Sequence, residues 1–176
     1  LSISRVLTGL WQIADMERQG SEVDLKEAAA AMKPYVEAGF TTFDMADHYG
    51  SAEIISGIYN KSSPGSGEFL TKWVPEPGPV TRQEVREAVQ RSLERMQTDC
   101  LDLLQLHTWS YADPVWVDIL EWLKECREEG MIRALGLTNV DTAHLNLVIQ
   151  SGFQIVSNQV CFSLLDRRAR NGMTRL

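Results

Sequence analysis

Nothing in the 176 residues approaches the run of roughly 20 apolar residues that a membrane-spanning helix needs, so no membrane partner is expected. Cysteine is scarce: Cys100, Cys126 and Cys161 are an odd number without metal-ligand spacing. That argues against a disulfide framework, gives no metal site, and suits a reducing compartment. Cys100 and Cys161 stand among apolar residues and are expected to be buried thiols. Basic residues are outnumbered, 17 Lys and Arg against 24 Asp and Glu, for a net charge of −7. Nucleic acid calls for clustered Lys and Arg. The one basic run, Arg167, Arg168 and Arg170, reads as a solvated face. No Met precedes Leu1, so a removed targeting segment stays open; otherwise the cytoplasm is expected.

What the chain does contain suits one soluble globular domain, with 44% hydrophobic and 23% charged residues. Short apolar runs alternate with amphipathic helical stretches. "RVLTGLW" (5–11) reads as a strand, followed by "SEVDLKEAAAAMKPYVEAGF", a helix with Ser21 as cap, Asp24 at the capping-box position, a kink at Pro34 and a stop at Gly39. Further strands are "TTF", "EFLTKW", "LDLLQLH", "RALGLT" and "QIVSNQV". The helix after "EFLTKW" carries a capping box, Thr81 with Glu84, and the next two open at Pro114 and Asp141 and stop at Gly130 and Gly152. "YNKSSPGSGE" reads as a mobile loop.

Near-continuously apolar strands joined by helices mean a parallel sheet covered on both faces. A doubly wound dinucleotide fold wants G-x-G-x-x-G after its first strand. "TGLWQI" lacks it, which favours the first six units of a (β/α)₈ TIM-type barrel over residues 1–176. Barrel chemistry sits at the carboxyl ends of the strands. Those ends carry Trp11, then Asp44 with Tyr49, then Lys72 with Trp73, then His107 with Trp109, then Thr138 and Asn139, then Ser157, Asn158 and Gln159. Each has a plainer reading as a cap, a surface charge or packing. Packing alone does not ask for an Asp, a Tyr, a Lys and a His around one mouth.

The run "FDMADHYGSAE", then "LTKW", "LDLLQLH", "GLTN" and "SNQV", in that order, resembles the aldo-keto reductases. The family motif D-x-A-x-x-Y-G-x-x-E is matched by Asp44, Ala46, Tyr49, Gly50 and Glu53. The resemblance implies a catalytic tetrad of Asp44, Tyr49, Lys72 and His107, and a nicotinamide cradle of Thr138, Asn139, Gln159 and Asp44. It implies NADPH bound without a Rossmann fold and a small carbonyl substrate facing Tyr49, His107, Trp11, Trp73 and Trp109. A monomer or homo-oligomer is expected. Lys72 is expected to lower the phenol pKa of Tyr49, which donates a proton as hydride reaches the carbonyl carbon. Glu53 is expected to cap or pair at the next helix start, with Asp47 and His48 as solvent-facing neighbours.

A whole barrel takes about 250 residues. The last two units, which in the family grip the pyrophosphate and stack on the nicotinamide, are therefore expected in a longer chain. A naturally shortened, weakly active product is the other reading. Some relatives of this fold act as regulatory or scaffold subunits, which keeps a non-catalytic, NADPH-binding alternative open.

Overall fold

The computed structural model describes residues 1–175. Six strands pair in parallel: β1 (Thr8–Gly9), β2 (Thr42–Asp44), β3 (Glu68–Trp73), β4 (Leu103–Leu106), β5 (Leu135–Thr138) and β6 (Ile155–Gln159). Their order in the sheet is β1-β2-β3-β4-β5-β6, with no reversal. A doubly wound sheet reverses its strand order at a switch point. Steady winding in one direction is the barrel's course, and the barrel expected from the sequence is the fold found.

Helices α1 (Trp11–Arg18), α2 (Leu25–Ala30), α3 (Lys33–Glu37), α4 (Ala52–Ser62), α5 (Arg82–Met96), α6 (Val115–Glu128) and α7 (Thr142–Gln150) connect the strands. None among the described residues is long and apolar enough to cross a membrane. Capping chemistry sets several of their starts. Thr81 and Glu84 form the reciprocal capping box of α5, and Asp141 accepts from the Ala143 and His144 amides of α7. The cap of α2 is Asp24, bonded to the Lys26 and Glu27 amides, rather than Ser21. Pro34 does more than kink this region. It lacks the amide that would bond back to Ala30, and it is tolerated in the first turn of α3, where that amide has no partner to lose. The single helix expected there is two short ones, α2 and α3.

Two further expectations change. The first strand shrinks to Thr8–Gly9, and Trp11 opens α1, a helix with no side-chain cap and Ala14 as its buried residue. Residues Tyr59–Ser62 of the expected loop belong to α4, and Ser66 tethers the remainder by donating to Ser63 O at 2.7 Å, with the Tyr59 hydroxyl bonded to Ser66 Oγ at 3.2 Å. Of the cysteines, Cys126 is buried, Cys100 half-buried and Cys161 exposed. Cys161 follows β6, which pairs only with β5 among the described residues, so nothing on its far side covers it. Arg167, Arg168 and Arg170 are exposed, with Arg168 bonded to Asp166 at 2.7 Å.

The pleat sorts the strands into two layers, because successive side chains point to opposite faces. Phe43, Phe69, Leu104, Leu106 and Leu137 join the core under the helices. Leu70, Leu103 and Ala134 form a separate small cluster on the inner face. Continuing that parity along β3 puts Lys72 inside and Trp73 outside.

The α4–α5 contact depends on Gly57. A Cβ there would lie 2.5 Å from the Arg95 carbonyl oxygen and 2.7 Å from the Met96 carbonyl carbon. Both are backbone atoms with little room to retreat. Helix propensity favours Ala over Gly by about 1 kcal/mol, whereas overpacking costs about 1–3 kcal/mol. Gly57→Ala is therefore expected to lower the unfolding free energy by up to about 2 kcal/mol in urea titration. A stabilised variant would contradict the close approach.

Candidate active site

On the inner face, the carboxyl ends of β2, β3 and β4 bring three of the expected residues together. Lys72 is 3% exposed, and its Nζ donates to Asp44 Oδ1 at 2.6 Å and to the Met45 carbonyl oxygen at 3.0 Å. A buried ammonium is costly without a counter-charge. Burial pulls the Lys72 pKa below the ordinary lysine range, and the Asp44 carboxylate works against that pull. Burial likewise holds the His107 imidazole below its usual value, helped by His48 and Lys72 and opposed by Asp47. His107 is therefore neutral at pH 7 and able to donate one hydrogen bond.

The segment after β2 carries Tyr49 alongside Lys72. Met45 N donates to Leu70 O at 2.8 Å and Asp47 N to Lys72 O at 2.9 Å, so this chain keeps pairing with β3 past the end of β2. Tyr49 N then turns back to Ala46 O at 3.0 Å. The Tyr49 ring lies under Lys72 Nζ, 5.5 Å from its centroid, and meets Trp11 (4.8 Å) and His48 (4.9 Å) edge to face.

The phenol pKa runs opposite to the expectation. It is raised, first by burial and then by the Asp44 carboxylate. The Lys72 charge is taken up by Asp44 and a carbonyl oxygen and is aimed at the face of the ring. Tyr49 is therefore protonated at neutral pH.

Two anchors hold this loop, and of their residues Glu17 and Arg95 lay outside the sequence reading. Glu17 on α1 accepts from Ser51 N through both carboxylate oxygens, at 3.2 and 3.1 Å. It fills the space over Gly50, whose φ of +54° favours glycine and whose missing Cβ leaves room for the carboxylate. Glu53 is buried and accepts from Thr71 Oγ1 (2.7 Å) and Arg95 Nη1 (3.2 Å), while Arg95 Nη1 also donates to Asp47 O at 2.9 Å. Pairing was foreseen for Glu53, but its partners lie on β3 and α5. His48 is exposed and bonded to Asp47 at 3.0 Å, at the solvent side of the loop.

Thr138, Asn139 and Gln159 also meet. Thr138 is aligned with Gln159 in the β5–β6 register, and Asn139 N donates to Gln159 O at 2.8 Å. Thr138 Oγ1 is the one buried side-chain polar atom without a partner among the described residues. Such a group is costly unless something completes it. Asn139 has φ +58°. The other non-glycine residue with positive φ among the described residues, Gln97, is the C-cap of α5, an ordinary place for it. A free hydroxyl on a residue followed in sequence by Asn139 and aligned across the sheet with Gln159 suits a ligand amide, which both donates and accepts. A cleft of about 200 Å³ next to this cradle is lined by Asp44, Gln105, Ser157 and Gln159, among others.

The three expected tryptophan walls divide. Trp11 packs on Tyr49, and Trp109 is exposed with its ring 5.7 Å from that of His107. Trp73 is corrected: it is buried with Phe69 in the core under the helices, on the opposite face of β3 from Lys72, and lines an outer cleft with Pro75 and Pro77. The odd spacing from Lys72 dictates this.

A profile of the aldo/keto reductase family matches residues 5–176. The chain is 27% identical to the NADH-specific methylglyoxal reductase of Escherichia coli over 205 aligned positions, covering 100% of this chain and 60% of that protein. It is 30% identical to the chloroplastic pyridoxal reductase of Arabidopsis thaliana, covering 94% of this chain and 50% of the relative. The holo form of an aldo-keto reductase from Bacillus halodurans superposes with TM-score 0.78 at 28% identity, covering 97% of this chain and 57% of its own. A Klebsiella pneumoniae aldo-keto reductase in complex with NADPH superposes with TM-score 0.80 at 24% identity, covering 98% of this chain and 59% of its own. The chain thus spans about 50–60% of the length of the curated relatives named here. With that profile matched from residue 5 to residue 176, the chain belongs to the aldo/keto reductase family.

Proposed function

We propose that this chain carries the proton-donating site of a nicotinamide-dependent reductase that converts a small aldehyde or ketone to the alcohol. The observation that carries the reading is the Tyr49 ring lying 5.5 Å beneath the ammonium of a buried, Asp44-paired Lys72. A carbonyl oxygen gains negative charge as its carbon is reduced, and a group must protonate it. Tyr49 is the donor in this reading. Lys72 then stabilises the phenolate left behind, and Asp44 keeps Lys72 charged and aimed. Neutral His107 donates a hydrogen bond to the same oxygen and fixes the carbonyl's orientation. Trp11 and Trp109 form the apolar sides of the substrate mouth, which leaves substrate choice to the rim.

The hydride comes from a dinucleotide when it is bound, since no side chain can supply one. Thr138, Asn139 and Gln159 would hold its carboxamide, with Asp44 beside them, and their unsatisfied hydroxyl and left-handed turn fit that group. NADPH is the proposed cofactor. The E. coli relative is named as NADH-specific, so both cofactors belong in the assay. The relatives' names include methylglyoxal and pyridoxal, two small polar carbonyl compounds, which makes them the first substrates to test.

Tyr49→Phe in the full-length protein is expected to lower kcat for carbonyl reduction by about 10²–10⁴-fold, with dinucleotide affinity nearly unchanged. Retained turnover would remove Tyr49 from the acid role. A wild-type protein that binds NADPH but reduces no carbonyl would favour the sensing or scaffold subunit. Asp44→Asn is expected to destabilise the fold by about 3 kcal/mol, because Lys72 is left buried without its counter-charge. Lys72→Met should cost less, since Asp44 retains an edge to water with 15% of its side chain exposed. Urea titration of the two variants checks the order, and the reverse order would contradict a buried, charged Lys72.

A further inference from the structure

Tyr111 takes no part in the chemistry above, yet it is tied to the cradle. It sits between β4 and α6, on the loop that begins at His107 and carries Trp109. Its hydroxyl donates to the Thr138 carbonyl oxygen at 3.0 Å. The ring is held edge-on to Trp116 (5.4 Å) and tilted against His144 (5.4 Å), and His144 is itself bonded to Asp141 at 2.7 Å. Burial, and after it the Asp141 carboxylate, push the Tyr111 phenol far above its ordinary pKa. The hydroxyl therefore remains a donor at every physiological pH.

The bond lands where the backbone is least ordinary. Thr138 bears the unpartnered buried hydroxyl, and the residue after it is the left-handed Asn139. Asparagine enters the left-handed region more readily than other non-glycine residues, and bonds on either side hold it there. Two bonds flank this position: Tyr111 Oη to Thr138 O on one side and Asn139 N to Gln159 O on the other.

We propose that Tyr111 is a positioning residue for the nicotinamide end of the cofactor: its hydroxyl fixes the Thr138 carbonyl, and through it the Thr138–Asn139 turn, so that the free Thr138 hydroxyl and the Asn139 side chain address the carboxamide. The same bond tethers the Trp109 loop to the cradle, linking the substrate side of the mouth to the cofactor side. This inference rests on the reductase reading, which wild-type dinucleotide binding tests separately.

Binding by the full-length Tyr111→Phe protein decides it. Phenylalanine keeps the ring packed on Trp116 and His144 and removes only the hydroxyl. Affinities for NADPH and for ADP-ribose 2′-phosphate, which lacks the nicotinamide, are measured side by side by calorimetry. NADPH binding is expected to weaken about 3–10-fold, the loss of one hydrogen bond's net contribution. ADP-ribose 2′-phosphate binding and the melting temperature are expected to stay essentially as in the wild type. Equal weakening of both ligands would assign Tyr111 a general structural role and overturn the inference. Unchanged NADPH affinity, or loss of the cooperative melting transition, would overturn it too. A wild-type protein that binds no dinucleotide would overturn the reductase reading and this inference together, and is told apart by needing no variant.

Discussion

A lysine on the inner face of a barrel must have a carboxylate beside it, and much of the site follows from that requirement. Lys72 is almost fully buried, and Asp44 lies 2.6 Å away. The β2–β3 register aligns Asp44 with Leu70, so the carboxylate has to reach along β3 to the next inward residue. The segment after β2 follows the same course, pairing with Leu70 and then Lys72 through its backbone. That path sets Tyr49 beneath the ammonium. Glu17, and Glu53 with Arg95, hold the loop from two sides, and Gly57 permits the close α4–α5 packing from which Arg95 reaches it.

Legibility in the sequence followed the range of the interactions. β3 runs over Glu68–Trp73 as read, because an apolar run between turn residues is a local signal. The Thr81–Glu84 capping box was legible for the same reason. α1 was not: it lacks a side-chain cap and buries little, so the Glu17 anchor on it was missed as well. Arg95 pairs with a residue far away in sequence, and no spacing rule finds such a partner. The convergence of Asp44, Tyr49, Lys72 and His107 was legible because strand ends in a barrel come together whatever lies between them.

Two expectations failed by direction rather than by place. Trp73 stands next to Lys72 in sequence, and the pleat sends neighbouring side chains to opposite faces, so the tryptophan serves the core. Tyr49 was placed correctly beside Lys72, but its pKa rises where a fall was expected. Burial of the phenol and the nearby Asp44 outweigh a cation whose hydrogen bonds are directed elsewhere. Order and parity thus place side chains, while their electrostatics need the distances.

Strand ends bring Asp44, Lys72 and Tyr49 to the same rim as Thr138, Asn139 and Gln159, and the proposed function requires direct hydride transfer to a carbonyl carbon. The decisive measurement is isotopic. Full-length protein is incubated with methylglyoxal and NADPH deuterated at the reactive nicotinamide carbon, and the alcohol is analysed by mass spectrometry and NMR. Deuterium on the former carbonyl carbon is the result expected. An alcohol whose new carbon-bound hydrogen comes from solvent, or no alcohol from any carbonyl tested while NADPH stays bound, would contradict it.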